Sequence, residues 1–166
     1  IHDPTGEDKF TTVVEVDNES ITVNILDTAG QDSFQGLLDS WIETGEGFVL
    51  VFAVNERNSF LDLEIRKRKI DILKGNQKVP IILVGNKNDL DIREREVSKD
   101  EGINKAKSWG ASYIETSALS NDGNCKEPFF ECIRKILKKD MNSKQCVSNN
   151  SDIKVNNGCC NKCYIF

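Results

Sequence analysis

Two short, unbroken apolar runs set the limits on what this chain can fold into. GFVLVFAV (residues 47–54) and VPIILVG (79–85) are too brief for core helices and show no polar alternation, the pattern of strands covered on both faces. Such strands need a layer on each side, and the intervening stretches supply helices for it. Ser59 with Asp62 reads as a capping box whose helix ends at Gly75, and Ser98 with Glu101 repeats the signal with Gly110 as the stop. Asn124 with Glu127 opens a last helix. Pro128 is harmless in its first turn, and Phe129, Cys132, Ile133, Ile136 and Leu137 form an apolar stripe. Residues 112–118 (SYIETSA) are a weaker third strand, and residues 33–43 read as partly helical. Residues 10–16 and 21–26, rich in Val, Ile and Thr and joined by DNES, read as a hairpin. The expected fold class is α/β: a mainly parallel sheet with flanking helices and one antiparallel hairpin.

Past residue 140 the periodicity stops in Asn- and Ser-rich sequence, which divides the chain into a domain at 1–140 and a flexible tail at 141–166. At 166 residues the chain is long enough to bury a core, and no run of eighteen apolar residues occurs. A net charge of −5 argues against nucleic acid as a partner and against binding to anionic lipid without a local device. Four of the six cysteines (Cys146, Cys159, Cys160, Cys163) crowd the tail, and no paired spacing crosses the body, which fits a reducing compartment.

In open α/β sheets ligands bind beyond the carboxyl ends of the strands. The run at 21–26 ends in DTAGQ. Asp27 there suits a Mg²⁺ beside a nucleotide phosphate, and Gly30 lets a backbone N–H approach an anion; the plainer reading is an Asp cap and a Gly turn. The run at 79–85 ends in NKND. Guanine presents two adjacent donors, N1–H and the 2-amino group, and the Asp89 carboxylate can accept both. Adenine would leave that carboxylate unpaired, and an unpaired buried group gives large discrimination. Asn86 can support the loop, and the aliphatic stem of Lys87 can cover the ring. Taken alone, a polar tetrapeptide such as NKND after a strand is more often just a turn.

DTAGQ, NKND and ETSA (Glu115 to Ala118) each end an apolar stretch, in that order. With DPTGED, TGEGF and the terminal CYIF they span nearly the whole chain, which in this combination resembles a small GTPase of the Ras family. The resemblance implies a P-loop NTPase-type, Ras-like G domain that binds GTP or GDP with Mg²⁺. Thr5 would ligate the ion and sense the γ-phosphate, Asp27 would hold the ion through water, and Gly30 would donate to the γ-phosphate. Gln31 would orient the attacking water. Asn86, Lys87 and Asp89 would read guanine with Ser117 and the backbone N–H of Ala118. Asp3, Pro4, Thr5, Gly6, Glu7, Asp8, Lys9 and Phe10 would form the effector-binding segment. Implied partners are exchange factors, activating proteins and effectors, with a monomeric switch released by hydrolysis. Gly6, His2 and Leu119 depart from the family pattern, the last where a Lys normally covers the base.

No G-x-x-x-x-G-K-[ST] loop occurs in these residues, although that loop cradles the phosphates. The family carries it, with a first strand, ahead of DPT. The expectation is therefore a G domain whose first strand and P-loop are missing from this chain, read as the cut edge of a complete GTPase. The competing reading is a phosphate-blind, non-catalytic, lipid-anchored interaction module. In the family's fold the first strand lies between the runs at 21–26 and 47–54, so both would lack a ladder partner. At the other end CYIF fits C-a-a-X, with geranylgeranyl on Cys163 and palmitoyl on Cys159 and Cys160 as the second signal. A zinc cluster or inert cysteines are the alternatives. The resemblance implies attachment to the cytoplasmic face of the plasma membrane.

Overall fold

The computed structural model describes residues 8–27, 35–75, 77–120, 124–145 and 162–165. The hairpin is β1 (Asp8–Val16) and β2 (Glu19–Asp27), antiparallel from Asp8 opposite Asp27 to Val16 opposite Glu19. Asp17 and Asn18 turn it with φ of 51° and 67°, a pair of left-handed residues suited to the twist of a two-residue hairpin loop. Helix α1 (Gln35–Thr44) follows, within the stretch expected to be partly helical.

The two apolar runs are β3 (Phe48–Ala53) and β4 (Ile81–Asn86), parallel and adjacent, and β5 (Ser112–Glu115) extends the sheet on the far side of β4. Between them run α2 (Arg57–Lys74) and α3 (Lys99–Trp109), and α4 (Glu127–Gln145) follows. Each face of the sheet has its own core. Ile42, Phe48, Leu50, Phe52, Phe60, Leu63 and Ile70 pack with α1, α2 and α3 on one face. Ile21, Val23, Ile82, Val84, Cys132, Ile133 and Ile136 join β2, β4 and α4 on the other. The continuous apolar runs are thus strands with a helical layer on both sides. The expected α/β class, a parallel three-stranded sheet with flanking helices and an antiparallel hairpin, is what the chain adopts.

The helix ends follow local chemistry with one correction. Ser98 and Glu101 form the reciprocal capping box of α3, and Gly110 closes it in the left-handed region at φ 66°. Gly75 caps α2, its N–H donating to the carbonyl of Asp71. Ser59 does not open α2. The helix begins at Arg57, its N-cap Glu56 makes no side-chain cap bond, and the Arg57 N–H donates to Glu96 Oε2 at 2.7 Å. With that donor satisfied from a loop thirty-nine residues on, Ser59 sits inside the first turn and its hydroxyl donates to the carbonyl of Glu56. Helix α4 opens through a single turn of 3₁₀ helix at Asn124–Lys126 and runs to Gln145, beyond the residue at which the sequence pattern fades.

Lys162–Ile165, in the stretch read from sequence as tail, forms β6. It lies parallel to β2, with Thr22 opposite Lys162, Val23 opposite Cys163, Asn24 opposite Tyr164 and Ile25 opposite Ile165. With no first strand in these residues, unpartnered edges are expected on β2 and β3. Among the described residues β2 is partnered on both sides, and β3 pairs with β4 alone.

Candidate functional site

The parallel register carries three strand ends to one edge of the sheet. Ala53 of β3 lies opposite Asn86 of β4, and Gly85 lies opposite Glu115 of β5. The chain beyond each strand is then tied to its neighbours. The Val54 N–H donates to the Asn86 carbonyl at 3.0 Å, the Thr116 N–H to the Gly85 carbonyl at 2.9 Å, and the Asn88 N–H to the Thr116 carbonyl at 3.0 Å. NKND and ETSA, which start twenty-nine residues apart, therefore form one surface.

Ser117, almost wholly buried, is the hub of that surface. Its hydroxyl donates to Asp89 Oδ1 at 2.5 Å and accepts from the N–H groups of Leu119 and Ser120 at 3.1 and 3.2 Å. This fixes one carboxylate oxygen of Asp89, an exposed residue. The other oxygen has no hydrogen bond among the described residues, so the carboxylate is oriented and keeps free acceptor capacity. Asn86 Oδ1 accepts from the Ala118 N–H at 3.2 Å and the Thr116 hydroxyl at 3.4 Å, which leaves its amide nitrogen as a donor. The Ala118 N–H, assigned to guanine by resemblance, is in this arrangement occupied by Asn86. Lys87 is exposed and held at φ 66°, a left-handed kink that a long side chain adopts only under local constraint. An oriented carboxylate beside an amide donor and a backbone turn matches the two-donor edge of guanine.

Behind the loop lies a clamp that the sequence does not announce. Arg95 pairs with Glu115 through Nη2–Oε1 at 2.5 Å and Nη1–Oε2 at 3.3 Å, and the Tyr113 hydroxyl donates to the same Oε1 at 2.8 Å. Arg95 and Glu115 are only 14% and 13% exposed, so the pair is shielded from the screening that weakens surface ion pairs. Burial pushes the Glu115 carboxyl up, but the hydrogen bonds from Arg95 and Tyr113 outweigh it and hold the group below its usual value. The same contacts raise Arg95, and burial followed by the Glu115 bond drives the Tyr113 phenol well up. All three stay in the protonation states that make the clamp. Arg95 lies twenty residues before its partner, and no local spacing reports such a contact.

The phosphate side is partly beyond the described residues. Asp27 ends β2 and is exposed. Thr5, Gly30 and Gln31 lie outside the described residues, as do Asp3, Pro4, Gly6 and Glu7 of the effector segment and Cys159 and Cys160 of the tail. Asp8 and Lys9 are in β1, Phe10 follows them with its side chain exposed, and Cys163 is in β6. Among the described residues no group of three or more His, Cys, Asp or Glu is placed to hold a metal. One further feature at the same edge escaped sequence reasoning. Asn55, just beyond β3, has a buried Oδ1 with no hydrogen-bond partner among the described residues. A buried orphan acceptor of this kind is a place for an N–H donor supplied by another segment. The free oxygen of Asp89 and the amide nitrogen of Asn86 together offer an acceptor and a donor at this edge of the sheet.

Known proteins match this chain closely. The family model described as "Ras family" matches residues 2–152. "Protein ras-1" of Neurospora crassa is 39% identical over 179 aligned residues, covering 99% of this chain and 83% of the relative. "Ras-like protein rasB" of Dictyostelium discoideum is 43% identical, covering 82% of this chain and 68% of the relative. "Ras-related protein Ral-B" of Mus musculus is 39% identical, covering 84% and 68%.

Proposed function

This chain belongs to the Ras family of small GTPases, and from that premise we propose that it is a guanine-nucleotide switch working at a membrane face. Asp89, Asn86 and Lys87 select guanine, with Ser117 holding Asp89 in place. Thr5 and Asp27 would help to hold a Mg²⁺, which would supply positive charge beside the bound phosphates. Gly30 presents its N–H to the γ-phosphate. Gln31 orients a water molecule for in-line attack, in which the water oxygen bonds to the γ-phosphorus as its bond to the bridging oxygen of GDP breaks. An activating protein's arginine would supply the remaining charge stabilisation.

Two surfaces would read the state. The stretch from Asp3 to Phe10 is the effector segment, and the outer edge of β1 supports that reading. It is unpaired among the described residues, and Phe10 and Val13 beside it are 57% and 66% exposed, a strand edge of the kind that partners extend by main-chain pairing. Cys163 would carry a geranylgeranyl chain and Cys159 and Cys160 palmitoyl chains. Two such signals hold a protein at the cytoplasmic face of the plasma membrane where one is marginal.

The observation that carries this reading is the Ser117–Asp89 hydrogen bond joining the two loops. Asp89→Asn exchanges an acceptor for a partial donor, so GTP affinity should fall about ten- to a hundredfold, the worth of a charge-assisted hydrogen bond. Xanthosine triphosphate, with an acceptor where guanine has its amino group, should bind the variant better than GTP does. Competition binding in the full chain measures both, and unchanged base preference would remove Asp89 from the role. Equal, weak binding of every nucleotide by a folded protein would favour the lipid-anchored interaction module instead.

A further inference from the structure

Strand β5 is the edge strand of its sheet, paired with β4 alone among the described residues. Successive carbonyls of an extended segment point to opposite sides, and the chain running on from β5 keeps that alternation. On the inner side the Thr116 carbonyl accepts from the Asn88 N–H at 3.0 Å. On the outer side no strand meets the carbonyls of Glu115 and Ser117 among the described residues. The 3₁₀ turn that opens α4 meets them instead. Asn124 Nδ2 donates to the Glu115 carbonyl at 3.4 Å, and the Cys125 thiol donates to the Ser117 carbonyl at 2.9 Å, beside the Ser120 hydroxyl at 3.1 Å. Two adjacent side chains of the turn thus do what the N–H groups of a neighbouring strand would do.

We infer that Asn124 and Cys125 are positioning residues for base recognition, with Cys125 setting where Ser117 sits and, through it, where Asp89 points. The inference rests on the proposed guanine reading of Asp89. The path is short. Ser117 is 1% exposed, so it has little room to rearrange, and one residue carries both the carbonyl held by Cys125 and the hydroxyl that holds Asp89 Oδ1. A shift of the carbonyl takes the hydroxyl with it. A carboxylate that accepts two parallel bonds depends on angle as well as distance, so a small turn of Asp89 weakens its hold on a second donor. The half-buried free thiol of Cys125 is a weak donor by type, but its place is exacting. At 2.9 Å from the carbonyl oxygen it leaves no room for a methyl group, whose carbon rests about 3.3 Å or more from an oxygen. A hydroxyl fits that distance and keeps the donor. The position therefore accepts Ser and rejects Val.

Two readings on the full chain test this, one of them independent of nucleotide. The Leu119 and Ser120 N–H groups donate to the Ser117 hydroxyl, so amide exchange at those two residues, followed by NMR, reports how firmly Ser117 is held. Cys125→Val should speed it about threefold, the worth of one modest hydrogen bond. Exchange across Ile81–Gly85 of β4 should stay unchanged, and Cys125→Ser should restore the protection. Inosine triphosphate, which lacks the 2-amino group of guanine, gives the second reading. The preference for GTP over inosine triphosphate should narrow about threefold in Cys125→Val and return in Cys125→Ser. If Val loosens β4 as well, Cys125→Ala, which removes the thiol without adding bulk, decides by the same two readings. Unchanged exchange at Leu119 and Ser120 overturns the inference. Equal loosening in the Val and Ser variants also overturns it, since packing rather than a donor would be the cause. A wild-type preference for GTP that survives Cys125→Val overturns the inference alone, whereas a wild-type chain that binds both nucleotides alike removes the guanine reading and the inference with it.

Discussion

At the scale of single residues, the guanine loop is held by groups that never meet the base. Arg95 and Glu115 are partners in a shielded pair, and Glu115 opens the ETSA segment that carries Ser117. Replacing Arg95 with Ala leaves the Glu115 carboxylate with only the Tyr113 hydroxyl, so stability should fall by about 2–3 kcal/mol, below the cost for a wholly buried pair. Urea denaturation measures the loss, and nucleotide affinity should fall with it because the Ser117–Asp89 tie depends on where that segment runs. Glu101 offers a pH test. Its bonds with Arg57, then Ser98, hold it at about 2 against an ordinary 4.5. The native state therefore favours the carboxylate, and its contribution is complete above about pH 4.5 and vanishes as pH falls through about 2. Denaturation at successive pH values should show the gap between wild type and Glu101→Gln closing across that window; a constant gap would count against the contact.

At the scale of elements, packing overrides propensity in a way one substitution can expose. Gly102 lies within α3, where Ala would ordinarily stabilise a helix by up to about 1 kcal/mol. Here a Cβ would lie 2.6 Å from the Tyr113 hydroxyl oxygen, the group that donates to Glu115. Overpacking costs about 1–3 kcal/mol, so Gly102→Ala should destabilise, with thermal unfolding as the readout. The elements also differ in how legible they are. The hairpin, both apolar strands, the Ser98 box and the Gly75 and Gly110 stops lie in the sequence because each depends on residues a few positions apart. Ser59 misleads because a distant carboxylate, Glu96, takes the cap's task. Lys162–Ile165 is illegible for the same reason: four residues after an Asn-rich stretch carry no periodicity, and their strand exists only through pairing with β2. Site residues divide likewise. Asp89 and Ser117 announce themselves through motifs, whereas Arg95 matters through a contact that closes only in three dimensions, and the burial of Asn55 Oδ1 is no more visible from local spacing.

At the scale of the whole molecule, a two-sided core fixes the sheet, and the sheet fixes where its loops end. Helices α1, α2 and α3 on one face and α4 on the other leave the strand termini as the place where polar side chains from separate segments can converge, as α/β sheets generally do. None of the described helices is long and apolar enough to cross a membrane. Specificity for guanine is the property that joins fold, loops and family, and a direct calorimetric titration of the full-length protein with GTP and with ATP, each with Mg²⁺, tests it most directly. A carboxylate matched to two adjacent donors predicts GTP binding at least a hundredfold tighter than ATP. Equal affinity for the two would contradict the account.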